Sequence, residues 1–258
     1  METFSAEFRK RFGETEVLDR VEAAHAKLIA LRRESIFIPD LVPEAENGMP
    51  FVPVKVLFLM QIALRRASEL ADAMVRDANA FAYTPVWTNA RSIFELAALL
   101  YDAKERISVI LQKWEDKTYY DFCDHLDAVL LGFKSMEWHP KSPEHPDLVV
   151  ITRNILTLID RITAKHIPEF RSMYDLLSEV AHPNYMGMME QYMVARDELN
   201  IEFVDRPVER NSLAIKIPLE AAHSALEMLV LSVSQYDGWF RDFVTLCQKH
   251  VPPAEPKA

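Results

Sequence analysis

Glycine and cysteine are both scarce in this chain of 258 residues, which contains 5 glycines and 2 cysteines. A tight all-β or dinucleotide-binding α/β fold needs glycine in its turns, so this composition favours helix instead. The two cysteines, Cys123 and Cys247, lie far apart and have no Cys-x-x-Cys partner. A disulfide framework and a zinc ribbon are therefore excluded, and a reducing compartment is favoured.

A basic balance and a long apolar run are also missing. The chain carries 29 basic and 39 acidic residues, a formal charge of −10, which disfavours sequence-independent nucleic-acid and bulk DNA binding. No segment approaches the roughly 18 apolar residues of a spanning helix. The first residues have neither the basic nor the apolar region of a secretory signal. We expect a soluble cytoplasmic protein that does not enter membranes.

The apolar residues recur with the period of a helix along most of the chain. This pattern predicts an all-α bundle of about seven to eight helices, forming a single domain over residues 1–250, with a disordered proline-rich tail at 251–258. The period changes to two near residues 200–217, where Ile201 and Phe203 precede Leu213, Ile215 and Ile217. This alternation predicts one small β-hairpin in which the two groups are paired.

The third predicted helix begins at Thr84-Pro85, with Thr84 as N-cap, and ends near Arg106. Arg91 and Glu95 lie four residues apart on one of its faces. The simpler interpretation is an exposed ion pair that contributes a few tenths of a kcal/mol. The alternative is that the pair faces a second helix, where the arginine could hold an anion.

The sixth predicted helix begins at Pro168 and is forced to stop before Pro183, since the residue preceding a proline is driven out of the helical region. One face of this helix carries a polar ridge of four residues: Arg171, Asp175, Ser178 and His182. Ser178 is four residues before His182 and could form a hydrogen bond with it. The ridge is interpreted either as a solvated face with a helix-capping histidine or as the wall of a functional groove.

Two segments resemble a widespread bacterial helical family of unknown function. They are residues 89–95 (Asn-Ala-Arg-Ser-Ile-Phe-Glu) and residues 174–184, which contain Ser-Glu-Val-Ala-His-Pro-Asn. The resemblance covers about residues 50–235, and its pattern is an Arg-x-x-x-Glu helix followed by a Ser-Glu-x-x-His-Pro helix end. More distantly, the histidine at a helix end is similar to the HEPN (higher eukaryote and prokaryote nucleotide-binding) proteins, many of which are metal-independent RNases.

The resemblance implies action on RNA or a nucleotide, with four catalytic residues: Arg91, Glu95, Ser178 and His182. Binding roles are expected for Arg171 and Asp175 of the polar ridge and for Asn184. HEPN proteins place an arginine about five to seven residues before the histidine, where this chain has Leu176 and Leu177. Arg91 or Arg171 would therefore have to supply the positive charge.

Two other functions stay open. One is a non-catalytic module whose polar ridge binds a protein partner or a small anion. The other is a ferritin-like di-metal protein, suggested by three Glu-x-x-His pairs: Glu22 with His25, Glu179 with His182, and Glu220 with His223. Pro183 counts against this reading because it unwinds the second pair, so no metal ligand or cofactor is assigned. The sequence also leaves a homodimer open.

The Met-rich segment from Met186 to Met193 has two interpretations. Flexible thioether side chains usually fill gaps in a core. The alternative is a flexible cover over the region of His182.

Overall fold

The computed structural model describes residues 1–36, 51–130, 154–183, 185–189, 192–195, 201–205 and 207–251. Within these ranges there are nine α-helices, eight of them seven residues or longer. They are α1 (Ala6–Phe12), α2 (Thr15–Ala30), α3 (Phe51–Asn79), α4 (Tyr83–Gln112), α5 (Asp116–Leu130), α6 (Ile155–Lys165), α7 (Phe170–Ala181), α8 (Pro207–Arg210) and α9 (Lys216–His250). A π-helical turn covers Tyr185–Met189, and a 3-10 turn covers Ser212–Ile215. The predicted all-α bundle with one small hairpin is confirmed.

Helix α4 is central to the packing, with contacts to α3, α7 and α9. Its apolar stripe, which includes Ile93, Ala97 and Leu100, is fully buried. Burial of each large aliphatic side chain contributes about 1.5–3 kcal/mol, so this stripe holds the bundle together. The rings of Phe94 on α4 and Phe170 on α7 stack 4.2 Å apart and fix the start of α7 against α4. This contact sets the position of the predicted polar ridge.

Helix α4 is longer than its sequence predicted. The expected end near Arg106 is wrong, because buried Ile107 and Ile110 continue the apolar stripe and the helix runs to Gln112. The N-cap is Ala82 rather than Thr84. The Thr84 hydroxyl instead forms a 2.9 Å hydrogen bond with the hydroxyl of Tyr192.

The hairpin uses a different partner strand from the predicted one. β2 (Ile201–Phe203) pairs antiparallel with β1 (Met193–Ala195), and Met193 lies opposite Phe203. Leu213 and Ile215 lie in the 3-10 turn, and Ile217 lies in the first turn of α9. The strand predicted at residues 213–217 is wrong, because three alternating apolar residues are too few to distinguish a strand from a tight helical turn.

Asn154 caps α6 by accepting a hydrogen bond from the Leu156 N–H at 3.0 Å, so this helix starts at Ile155. None of the described helices combines the length and the apolar character needed to cross a bilayer. The predicted tail after Val251 lies outside the described residues.

Candidate functional site

The candidate site begins at the C-terminal end of α7. His182 is the C-cap residue, with an extended backbone (φ −87°, ψ 152°), and its N–H donates to the Ser178 carbonyl at 3.0 Å. The predicted helix stop before Pro183 is thus confirmed. Because the chain leaves the helix at this residue, the His182 side chain is exposed at the edge of the bundle.

Arg91 on α4 reaches this histidine. Its Nη1 lies 3.3 Å from His182 Nε2, so Arg91 faces a second helix, as in the alternative to the simple exposed ion pair. Since a guanidinium only donates, Nε2 acts as the acceptor, and the imidazole proton is assigned to Nδ1. The Arg91 side chain is 25% exposed, so a dissolved anion can reach it.

Glu95 and Tyr174 hold Arg91 in place. Arg91 Nε donates to Glu95 Oε1 at 3.1 Å, and Nη2 donates to the Tyr174 hydroxyl at 3.1 Å. The Tyr174 hydroxyl in turn donates to Glu95 Oε1 at 3.0 Å. The guanidinium carbon also lies 5.4 Å from the centre of the Tyr174 ring, within the range of a cation–π interaction. We call Arg91, Glu95, Tyr174 and His182 the arginine quartet.

Tyr174 was given no role by the sequence reasoning, although it lies within the segment that carries the family resemblance. Its side chain is 3% exposed, so it supports Arg91 from the core side. It lies two turns before His182, and this spacing on the same helix was the signal that could have identified it.

The other predicted site residues are not drawn into the quartet. Ser178 does not bond His182: its hydroxyl oxygen is buried and has no hydrogen-bond partner among the described residues. Arg171 donates to Asp175 at 2.8 Å and to Asp160 on α6 at 2.5 Å. These two hydrogen bonds raise the pKa of Arg171. The predicted ridge is therefore divided, because its first half faces α6 and its last residue faces α4; Asn184 lies outside the described residues.

A groove of about 480 Å³ adjoins the quartet. His182 and its two neighbours at the end of α7 form one part of its wall. Further side chains come from the start of α4, the π-helical turn, the hairpin and the residue before it: Thr84, Met188, Tyr192, Met193 and Phe203. Met188 and Met193 of the Met-rich segment thus line the same groove as His182. The wall is largely apolar, with the Thr84 and Tyr192 hydroxyls as its polar groups next to His182.

Gly187 allows the π-helical turn to approach the end of α7. A Cβ atom at this position would lie 2.6 Å from the Val180 carbonyl oxygen and would also overlap the His182 carbonyl. Backbone atoms cannot move aside as the end of a flexible side chain can, so only glycine fits here without a shift. The shape of the groove beside His182 therefore depends on this residue.

Two buried polar clusters also escaped the sequence reasoning. Asp102 on α4 is bonded by Arg106 Nε at 2.8 Å and lies 2.6 Å from Arg161 Nη2 on α6. His125 Nε2 on α5 is 3.4 Å from the same carboxylate. We call these four residues the aspartate cluster. Since Asp102 and His125 are almost completely buried, a dissolved substrate has no access to them.

The second buried cluster joins α2 to α3. His25 Nε2 is 2.9 Å from the Ser68 hydroxyl, and His25 Nδ1 is 3.9 Å from Asp72. Burial lowers the pKa of His25, and the Asp72 carboxylate opposes this shift only in part. The histidine thus lies between a serine and an aspartate, as in a hydrolytic triad. However, Ser68 and His25 are buried in the contact between the two helices, so the cluster serves helix packing.

The arrangement does not favour a di-metal centre. Within the described ranges, no group of three or more His, Cys, Asp or Glu side chains is placed to hold a metal ion. Glu22 of the first Glu-x-x-His pair instead accepts from Arg9 at 2.7 Å, while His25 bonds Ser68.

Comparison with known proteins leaves the interpretation to the geometry. No protein-family model, no curated protein and no solved structure matches the chain. The arginine quartet and its groove are accordingly the features from which a function is inferred.

Proposed function

We propose that the protein is a HEPN-like, metal-independent ribonuclease that cleaves RNA at Arg91 and His182. The observation that carries the proposal is the 3.3 Å distance between Arg91 Nη1 and His182 Nε2 at an exposed helix end. It supplies the cation next to the histidine that the HEPN pattern requires and that the positions five to seven residues before His182 lack. Cleavage of RNA without a metal needs such a proton acceptor and such a cation.

The chemistry balances without a co-reactant. His182 Nε2 takes the proton of the ribose 2′-hydroxyl, whose oxygen attacks the adjacent phosphorus. The bond from phosphorus to the 5′ oxygen then breaks, giving a 2′,3′-cyclic phosphate and a 5′-hydroxyl that receives the proton back from the imidazolium. Arg91 stabilises the charge that develops on the phosphoryl oxygens. Imidazole suits this role because it exchanges protons near neutral pH.

Glu95 and Tyr174 act as positioning residues in this proposal. Among the described residues, three of the five Arg91 N–H groups bind Glu95, Tyr174 and His182. The other two can donate to a phosphate. An incoming phosphate would also compete for Nη1 and release His182 Nε2 to act as a base. The buried Ser178 hydroxyl takes no part.

The proposed substrate is a particular RNA in the cytoplasm of a bacterial cell. The net charge of −10 repels bulk RNA, so recognition depends on local features of the groove. Cys123 and Cys247 are both free thiols, which supports a reducing compartment. A homodimer stays a prediction, with no observation that bears on it.

A non-catalytic module that binds a small anion is the second candidate. It is favoured by the Arg91 guanidinium, which Glu95 and Tyr174 hold in place while its side chain stays 25% exposed. Anion binding needs only this cation and no base. The first candidate predicts RNA cleavage that depends on His182, whereas the second predicts no cleavage.

The experiment compares wild type with His182→Ala, Arg91→Ala and Arg171→Ala in EDTA on structured and unstructured RNAs. We expect the first two variants to lose about 10² to 10⁴ in rate, because each removes one member of a cooperating pair. Arg171→Ala is the matched control, since this arginine bonds only Asp160 and Asp175 in the described part of the chain. Thermal unfolding verifies that each variant is folded.

Two results would contradict the proposal. Equal cleavage by wild type and His182→Ala would identify a contaminating nuclease. Absence of cleavage on every RNA would favour the anion-binding module.

A further inference from the structure

The groove beside the arginine quartet has the properties of a ring-binding site. Its volume of about 480 Å³ falls within the range of small-molecule sites, and its wall is apolar with a few polar groups. His182 belongs to both the groove and the quartet. A group in the groove and a phosphate at Arg91 can therefore belong to the same molecule.

Phe203 is the most unusual side chain of this wall. It lies on β2 and is 75% exposed, although an aromatic ring that large is normally covered in a folded chain. Met188, which is also exposed, and Met193, which pairs with Phe203 across the hairpin, add polarisable thioethers around it. A flat aromatic ring is the ligand that such a surface stacks with best.

The polar groups of the wall match the edge of a base. The Thr84 and Tyr192 hydroxyls share one hydrogen bond of 2.9 Å, which uses one of their two O–H groups. The remaining O–H and the oxygen lone pairs can bond the donors and acceptors of a base edge. Both hydroxyls are uncharged, which suits a nucleobase because its ring is also uncharged.

We propose that this groove binds one unpaired nucleobase of the RNA, stacked on Phe203, next to the phosphate held by Arg91. The inference rests on the proposed function and deepens it by naming single-stranded RNA as the substrate class. A base within a duplex is stacked on both faces and cannot enter the groove. The groove thus selects RNA by its unpaired positions, which suits an acidic protein that lacks a basic surface.

The test measures binding of the four ribonucleoside 3′-monophosphates and of inorganic phosphate by NMR titration. We compare wild type with Phe203→Ala and Ile201→Ala. Ile201 is the matched control because it lies on the same strand and face, is 53% exposed and does not line the groove. Both side chains are exposed, so neither change should affect folding.

We expect Phe203→Ala to weaken binding of at least one nucleotide roughly tenfold and to leave phosphate binding unchanged, because stacking on one aromatic ring contributes about this much. Ile201→Ala should change neither. Equal nucleotide affinity in wild type and Phe203→Ala would overturn the base site. If nucleotide affinity is equal but Arg91→Ala abolishes phosphate binding, only the base site is overturned. The proposed cleavage at Arg91 and His182 is tested separately by the cleavage assay.

Discussion

The arginine quartet and the aspartate cluster lie on the same helix, α4, and are built from similar side chains. Arg91 and Asp102 are eleven residues apart, or about 16 Å along the helix. Each bonds an opposite charge four residues along the helix, and each lies near a histidine of another helix. The difference is that a cation is the centre of the first group and a carboxylate is the centre of the second.

Burial decides what each group can do. Asp102 is 1% exposed, and its charge is compensated by arginines from α4 and α6. Removal of that carboxylate would take away the buried counter-ion that Arg106 and Arg161 share, which is costly because the carboxylate lies in a low-dielectric interior. Arg91 is open to water on one side, so its hydrogen bonds can be exchanged for those of a ligand. Similar chemistry therefore serves folding in one place and suits binding in the other.

The largest effect on stability is expected from Asp102→Ala. This change removes the buried carboxylate that Arg106 and Arg161 share and leaves a cavity in its place, and we expect the free energy of unfolding to fall by about 3 kcal/mol. Urea denaturation measures the loss. Asp160→Ala is the matched control because it removes an aspartate from an exposed pair with Arg171 and should cost far less. A similar loss in both variants would contradict the role assigned to the aspartate cluster.

Arg91→Ala should cost less, about 1 kcal/mol, in the same denaturation experiment. The hydrogen bond from Tyr174 to Glu95 remains, and water can reach the groups that Arg91 leaves. Together with a large loss of RNA cleavage, this small loss of stability would separate function from folding. If Arg91→Ala destabilises the protein as much as Asp102→Ala, the quartet is a structural contact and the comparison fails.

The smallest effect concerns the pH dependence of stability at His25. Burial lowers the pKa of this histidine, with Arg32 and the N-terminal amine acting in the same direction and Asp72 opposing it. The unfolded chain therefore binds a proton more readily than the folded one. Stability should fall as the pH drops from the ordinary histidine pKa towards the lower value of the folded state.

Comparison of wild type with His25→Gln isolates this contribution. Urea denaturation from pH 7.5 to 5 should give a weaker pH dependence in the variant, whatever its absolute stability. An unchanged pH dependence would mean that His25 has the same pKa in the folded and unfolded chains.

The parts of the site that the sequence predicted are local. Pro183 determines the end of α7 because a proline restricts the residue before it, and this places His182 at an exposed C-cap. The spacing of Arg91 and Glu95 determines their ion pair because residues four apart are neighbours on any helix. The pairing of β2 was not predicted correctly, because short strands have little pattern of their own and take their partner from the packing around them.

By itself, the sequence determined an all-α bundle through its helical periodicity and scarce glycine, and it determined a histidine at a helix end. Only the tertiary structure decided which arginine approaches that histidine, because Arg91 and His182 lie 91 residues apart and meet through the packing of α7 on α4. Tertiary packing also decided that Tyr174 supports Arg91 and that Phe203 faces the groove. Periodicity identifies the face of a helix that is buried, whereas the partner of that face depends on the shape and volume of every neighbouring side chain.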